Sequence, residues 1–217
     1  MPALLIGLTG ACAFLIGRAL DLPWLCFASK PLPVIALMLW LRCAPAGAYR
    51  NRVALGLALC LLGDVLLQWP GDLFVPGLAA FLLGHLCYIA AYLSDSRRLA
   101  PLALAACLVY GGAMFALLGS GGLGPLALPV ALYALTISTM LWRALARTGE
   151  TGIARGSVLA AVAGALCFVV SDSLLGIARF VGSFPGDGYA IILSYWLGQW
   201  GITASARFKA GTAANPT

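Results

Sequence analysis

Charge is scarce in this chain. Seven Asp and Glu, 13 Lys and Arg and a single His are spread over 217 residues, so that only 9% are Asp, Glu, Lys or Arg while 62% are hydrophobic. A soluble domain carries about 25% charged residues, and the shortage excludes one here. Long polar stretches are missing as well. At about 20 residues per span, the chain holds roughly eight membrane helices with little left for loops. The function must therefore lie within the helix bundle. No CxxC pair occurs, and the seven cysteines (Cys12, Cys26, Cys43, Cys60, Cys87, Cys107, Cys167) all fall in or beside apolar runs. They read as small buried hydrophobes, not disulfides or metal ligands. With one histidine and no cysteine cluster, neither a metal nor a cofactor is expected. The net charge of +6 has no contiguous basic face behind it, which excludes nucleic acid as a partner and fits topology determinants and contacts with anionic lipid.

Polar and Pro/Gly punctuation predicts spans near 3–19, 24–42, 53–69, 73–94, 99–119, 123–145, 156–178 and 186–207. The expected fold is an all-α polytopic membrane bundle of about eight helices, forming one domain over 1–209 with a disordered small-residue tail over 210–217. Leu22-Pro23 and Lys30-Pro31-Leu32-Pro33 interrupt the first two spans. Leu8-Thr9-Gly10-Ala11-Cys12 has the look of a lipoprotein cleavage site, but no basic residue precedes it, so an uncleaved first helix is expected. With the N-terminus inside, Arg42, Arg50, Arg52, Arg97, Arg98, Arg143, Arg147, Arg155, Arg207 and Lys209 are cytoplasmic. Only Arg18, Lys30 and Arg179 then face outward. That bias predicts two cytoplasmic termini, in a membrane expected to be a bacterial inner membrane.

Two acidic residues sit inside apolar helices, in near-copies of one pentapeptide: Gly63-Asp64-Val65-Leu66-Leu67 and Ser171-Asp172-Ser173-Leu174-Leu175. An ionised carboxylate near a bilayer centre costs about 3 kcal/mol on insertion scales, and such groups are functional candidates by default. The motifs lie 108 positions apart, on spans that run the same way. This predicts similar depth in the outer half of the membrane, direct contact between spans 3 and 7, and a parallel internal repeat of spans 3–4 and 7–8. In span 4, Phe81, His85, Tyr88 and Tyr92 share one helix face; in span 8, Tyr195 and Gln199 are four apart. Spans 5 and 6 offer in their interiors only Tyr110, Tyr133, Thr136, Ser138 and Thr139, so the chemistry is assigned to spans 3, 4, 7 and 8. Asp, His, Tyr and Gln can also serve as interhelical glue. Lys30 reads as a snorkelling residue or, beside Pro31, as a phosphate contact.

Gly63 to Leu67, Gly77 to Phe81, Gly84-His85-Leu86-Cys87-Tyr88, Phe168 to Leu175, Arg179-Phe180, Tyr195 and Gln199 follow one another in an order that resembles the YhhN-like membrane family. The resemblance spans about Lys30 to Gln199, with Ala178 standing where many relatives have Asn. It implies a lysoplasmalogenase, a membrane hydrolase that cleaves the vinyl ether of a 1-alkenyl lysoglycerophospholipid to a fatty aldehyde and a glycerophospho head group. Vinyl-ether hydrolysis needs an acid to protonate the β-carbon and a carboxylate to steady the oxocarbenium ion or activate water. Two carboxyls close together in a dry site cannot both ionise comfortably, which parallels the two-carboxylate logic of glycoside hydrolysis. Asp64 and Asp172 are thus the expected acid/base pair. His85, Tyr88, Tyr195, Gln199, Ser171, Lys30 and Arg179 are the expected substrate contacts, Arg179 and Lys30 being the candidates for the phosphate. A GxGD-type aspartyl protease fits less well, since Leu61 stands where the first glycine belongs. A proton-coupled lipid or amphiphile transporter would use the same Asp pair.

Overall fold

The computed structural model describes residues 2–209; the expected tail over 210–217 lies outside the described residues. Among the described residues nine α-helices follow one another: α1 (Pro2–Ala19), α2 (Pro23–Ser29), α3 (Leu32–Leu41), α4 (Ala48–Gln68), α5 (Phe74–Leu93), α6 (Pro101–Ser120), α7 (Ala127–Ala146), α8 (Arg155–Phe180) and α9 (Asp187–Arg207). No strand occurs among the described residues. Among the described residues seven segments are long and apolar enough to cross a membrane, with α2 and α3 forming one of them, Pro23–Leu41. Pro31 and Pro33 cannot donate the i→i−4 bonds that would run to Phe27 and Ser29, so the helix breaks where those carbonyls lose their donors. The break falls at Lys30, the last residue before Pro31.

The eighth span, α9, is long enough at 21 residues but less apolar, because it is enclosed by protein. From Gly198 to Ala206 nearly every residue is buried, and Ser, Thr and Gln are tolerated where neighbouring helices, not lipid, meet them. Glycines allow the enclosure. A Cβ on Gly164 of α8 would stand 2.5 Å from the Ile202 nitrogen and 2.8 Å from the Gly198 oxygen of α9. Since those neighbours are backbone, the helices would have to separate. Gly164→Ala is therefore expected to destabilise the fold by about 1–3 kcal/mol, the usual range for overpacking, and to lower the melting temperature in detergent. An unchanged melting temperature would mean that α8 and α9 are not this close.

Large apolar side chains such as Leu4, Leu102, Val109 and Leu128 lie exposed around the perimeter, where hydrocarbon would meet them. Polar residues gather at two levels inside. Near Arg207, at the end of the bundle that also holds Pro2, fully buried Arg147 donates to Asp95 at 2.7 Å and to Ser157 at 2.9 Å. Its guanidinium lies 5.2 Å from the Tyr49 ring and 5.4 Å from the Tyr92 ring, and Lys209 also pairs with Asp95. This cluster ties α4, α5, α7, α8 and α9 together. The second polar level lies toward the opposite end and contains both aspartates of the repeated motif.

Candidate active site

Asp64 lies on α4 about one turn before its end, and Asp172 occupies the second half of α8. Both line one cavity of about 390 Å³, within the size range of small-molecule sites. It is bounded by the C-terminal ends of α1, α4 and α8, by α2, by Phe81 of α5 and by the first turns of α9. Gly63 matters beside Asp64, because a Cβ there would stand 2.6 Å from the Phe81 ring. The glycine lets α5 close against α4 next to the carboxyl.

The two carboxyls have different surroundings. Asp64 is 2% exposed and pairs with Lys30, whose Nζ lies 3.1 Å from Oδ1. Its Oδ2 accepts from the Tyr195 hydroxyl at 2.6 Å. Tyr195 is oriented in turn by Gln199, whose Nε2 donates to it at 3.2 Å, and the Gln199 Oε1 accepts from Tyr88 at 2.7 Å. A chain of donors from α5 and α9 thus ends on Asp64. Asp172 has no lysine or arginine within ion-pair distance among the described residues. Its Oδ2 accepts a short hydrogen bond from Tyr133 of α7 and lies 3.9 Å from the Nε2 of His85. That separation is beyond hydrogen-bonding range, and neither His85 ring nitrogen has a hydrogen-bond partner. The imidazole is fully buried, 4.6 Å from Phe168 and 5.4 Å from Tyr133 between ring centroids.

Asp172 also borders a second space, a narrow apolar crevice of about 50 Å³ lined by Phe74, Leu78, Leu118, Val130 and Phe180 among others. Leu67, Phe81, Asp172 and Leu175 line both spaces. One carboxyl therefore faces a partly polar cavity with a fixed cation beside it, and the other stands where that cavity meets hydrocarbon-like surroundings.

Residues 25–206 match the model of the YhhN family. The chain belongs to the YhhN family. It is 34% identical over 188 residues to human "Lysoplasmalogenase TMEM86B", covering 86% of this chain and 77% of that protein. It is 34% identical over 172 residues to "Lysoplasmalogenase" from Mycobacterium bovis, covering 76% and 63%. It is 31% identical over 193 residues to bovine "Lysoplasmalogenase TMEM86A", covering 84% and 78%. These YhhN-family relatives are named as enzymes. No solved structure matches the chain.

The fold gathers most of the residues singled out in this YhhN-family sequence, with changes of role. Asp64, Asp172, Tyr195, Ser171 and Lys30 line the cavity. The helix break carries the Lys30 ammonium onto Asp64. Ser171 donates to the Ile191 carbonyl at 3.0 Å, joining α8 to α9. His85, Tyr88 and Gln199 do not line the cavity; Tyr88 and Gln199 are hydrogen-bonded toward Tyr195, while His85 is packed among aromatic rings. Arg179 lies elsewhere, 3.8 Å from Asp72 and over the Phe74 ring. Direct packing of α4 on α8 is not among the main helix contacts, and the two helices face each other across the cavity. Restricting the chemistry to spans 3, 4, 7 and 8 leaves out Tyr133 on α7 and Arg18 on α1, whereas Lys30, expected as a substrate contact, stands at the break after α2 and pairs with Asp64. Tyr133 counts in the sequence only as one of the interior polar residues of spans 5 and 6, and its place opposite Asp172 is visible only in space.

Proposed function

We propose that this chain is a membrane-embedded hydrolase that cleaves the vinyl ether of lysoplasmalogens, with Asp172 as general acid and Asp64 as the carboxylate that activates water. The observation that carries the reading is the unequal pair: two carboxyls on one cavity, one beside Lys30 and the other beside apolar surfaces. The relatives named lysoplasmalogenase support the substrate class. The Lys30 ammonium and the Tyr195 hydroxyl both face Asp64, whereas Asp172 borders the apolar crevice, which suits Asp64 to the carboxylate's part and Asp172 to the acid's. Because Tyr133 occupies Oδ2 of Asp172, its Oδ1 is left to hold the proton.

Asp172 transfers its proton to the β-carbon of the alkenyl group, and the double bond's electrons leave an oxocarbenium ion across the adjacent carbon and the ether oxygen. Ionised Asp64 stabilises that cation and takes a proton from water as its oxygen bonds to the α-carbon, giving a hemiacetal. As the hemiacetal collapses, the carbon–oxygen bond to glycerol breaks. Asp64 returns its proton to the leaving oxygen, and Asp172 recovers one from the hemiacetal hydroxyl. The products are a fatty aldehyde and the glycerophospho head group, with both carboxyls restored. The alkenyl chain would enter the apolar crevice beyond Asp172 and the glycerol would stay on the Lys30 side. In the orientation given by the basic residues, both termini are cytoplasmic and the cavity opens toward the outer face.

The test is incubation of purified protein in detergent with alkenyl and acyl lysophospholipids. Aldehyde from the alkenyl substrates alone is expected. Release of fatty acid from acyl substrates would make the protein a lysophospholipase, and lipid movement between leaflets without aldehyde would make it a transporter.

A further inference from the structure

The cavity holds a second basic residue that neither carboxyl of the pair uses. Arg18 ends α1 and lines the cavity together with Asp64, Asp172, Lys30, Asp187 and Gly188. Its guanidinium stands 3.6 Å from Asp187 and 5.4 Å from the centroid of the Tyr189 ring, both on the first turn of α9. A Cβ on Gly188 would fall 1.8 Å from the Arg18 Nη2, so the glycine is what leaves room for the guanidinium across the mouth. The Arg18 side chain is 42% exposed, and its single contact with Asp187 is long. An ion pair of that kind is weak and readily exchanged. A phosphate offers what Asp187 does not in this geometry, two oxygens matched to the guanidinium fork.

We propose that Arg18 receives the phosphate of the lipid head group, displacing Asp187, and thereby sets the selectivity of the cavity for phosphate-bearing lipids; this rests on the hydrolase reading above. In a lysophospholipid the phosphate is joined to the ether by the three carbons of glycerol, so its site belongs in the same cavity as the carboxyls but nearer the mouth. Arg18, in the last turn of α1, meets that requirement. Arg179 does not line the cavity. Arg18 also precedes residues 25–206, the part that matches the family model.

The experiment compares a 1-alkenyl glycerophospholipid with a 1-alkenyl glycerol, which lacks phosphate. Arg18→Gln is expected to lower the ratio of kcat/KM for the first over the second at least tenfold, through KM. Arg18→Lys should restore part of it, keeping the charge but not the fork. Gly188→Ala, which must push the guanidinium aside without removing it, should lower the same ratio. An unchanged ratio in Arg18→Gln, or an equal fall for both lipids together with a lower melting temperature, would leave Arg18 as a clip between α1 and α9 and overturn the assignment. Inorganic phosphate forms a further arm. If it alters turnover of the phosphate-free ether in the wild type but not in Arg18→Gln, the site serves a free anion and the head-group assignment falls. Binding of the corresponding alkyl ethers, which carry no vinyl group to protonate, reads Arg18 independently of hydrolysis. A preference for the phosphate-bearing ether that is lost in Arg18→Gln supports the assignment even if no aldehyde forms, whereas absence of aldehyde alone overturns only the hydrolase reading.

Discussion

Asp172→Asn should lower aldehyde release by at least about 100-fold, and Asp64→Asn should do the same, the lower bound for removing a general acid or base from a proton relay. The two losses have different origins. Asparagine at 172 keeps the shape and can still accept from Tyr133, but has no carboxylic proton to give to carbon. Asparagine at 64 can still accept from Tyr195, but cannot take a proton from water or steady the cation. Since Asn is cheaper than an ionised Asp in hydrocarbon, both variants should insert and purify. Their stabilities should part company: Asp172→Asn removes a group with no lysine or arginine in ion-pair range, while Asp64→Asn strands the buried end of Lys30. Melting temperature and single-turnover aldehyde release, measured on the same preparations, check both statements. A folded Asp172→Asn protein with near-normal turnover would end the assignment of that residue as the acid.

The spans and the two aspartates were legible in the sequence because each leaves a local mark. An apolar run of the right length can do little but cross a membrane, and a carboxyl inside one stands out by its desolvation penalty. The repeated pentapeptide was legible for the same reason, and each copy sits on a helix that packs against the next one in the chain. Gly56 and Gly164, each eight residues before its aspartate, both lie against the following helix, Gly56 beneath the Tyr88 ring and Gly164 beneath Ile202. What the repeat did not disclose is that the two halves use their aspartates differently. Asp64 takes its hydroxyl donor from α9, in the other half, and its cation from the α2 break; Asp172 takes its donor from α7, which belongs to neither copy. Those partners are fixed by which helices meet in space, and a tyrosine or lysine inside an apolar run carries no signal of what lies opposite. His85 shows the converse. It shares a helix face with Phe81, yet Phe81 reaches the cavity while His85 is covered by Phe168 and Tyr133. A shared face says which side a residue points to, not how deep its neighbours let it reach.

Lys30→Met should be the most damaging single change outside the carboxyl pair, and a double variant shows why. The Lys30 side chain is 17% exposed and that of its partner 2%, so methionine, of similar length, fills the space but leaves Asp64 buried beside nothing that balances a charge. Removing one member of a buried pair costs about 3–5 kcal/mol, because the remaining charge is uncompensated. The variant should therefore melt at a lower temperature and lose at least about 100-fold in turnover, as Asp64 no longer serves as the carboxylate in the relay. Adding Asp64→Asn removes the stranded charge. The double variant should regain most of the lost stability, since replacing both members of a buried pair with uncharged groups is often neutral or better, yet it should remain inactive. Along that arm of the cycle stability returns while activity does not, so the loss of turnover in Lys30→Met is not a consequence of its lost stability alone. If Lys30→Met alone is as stable and as active as the wild type, the 3.1 Å pair has no part in the chemistry, and the asymmetry that assigns Asp64 as the carboxylate loses its foundation.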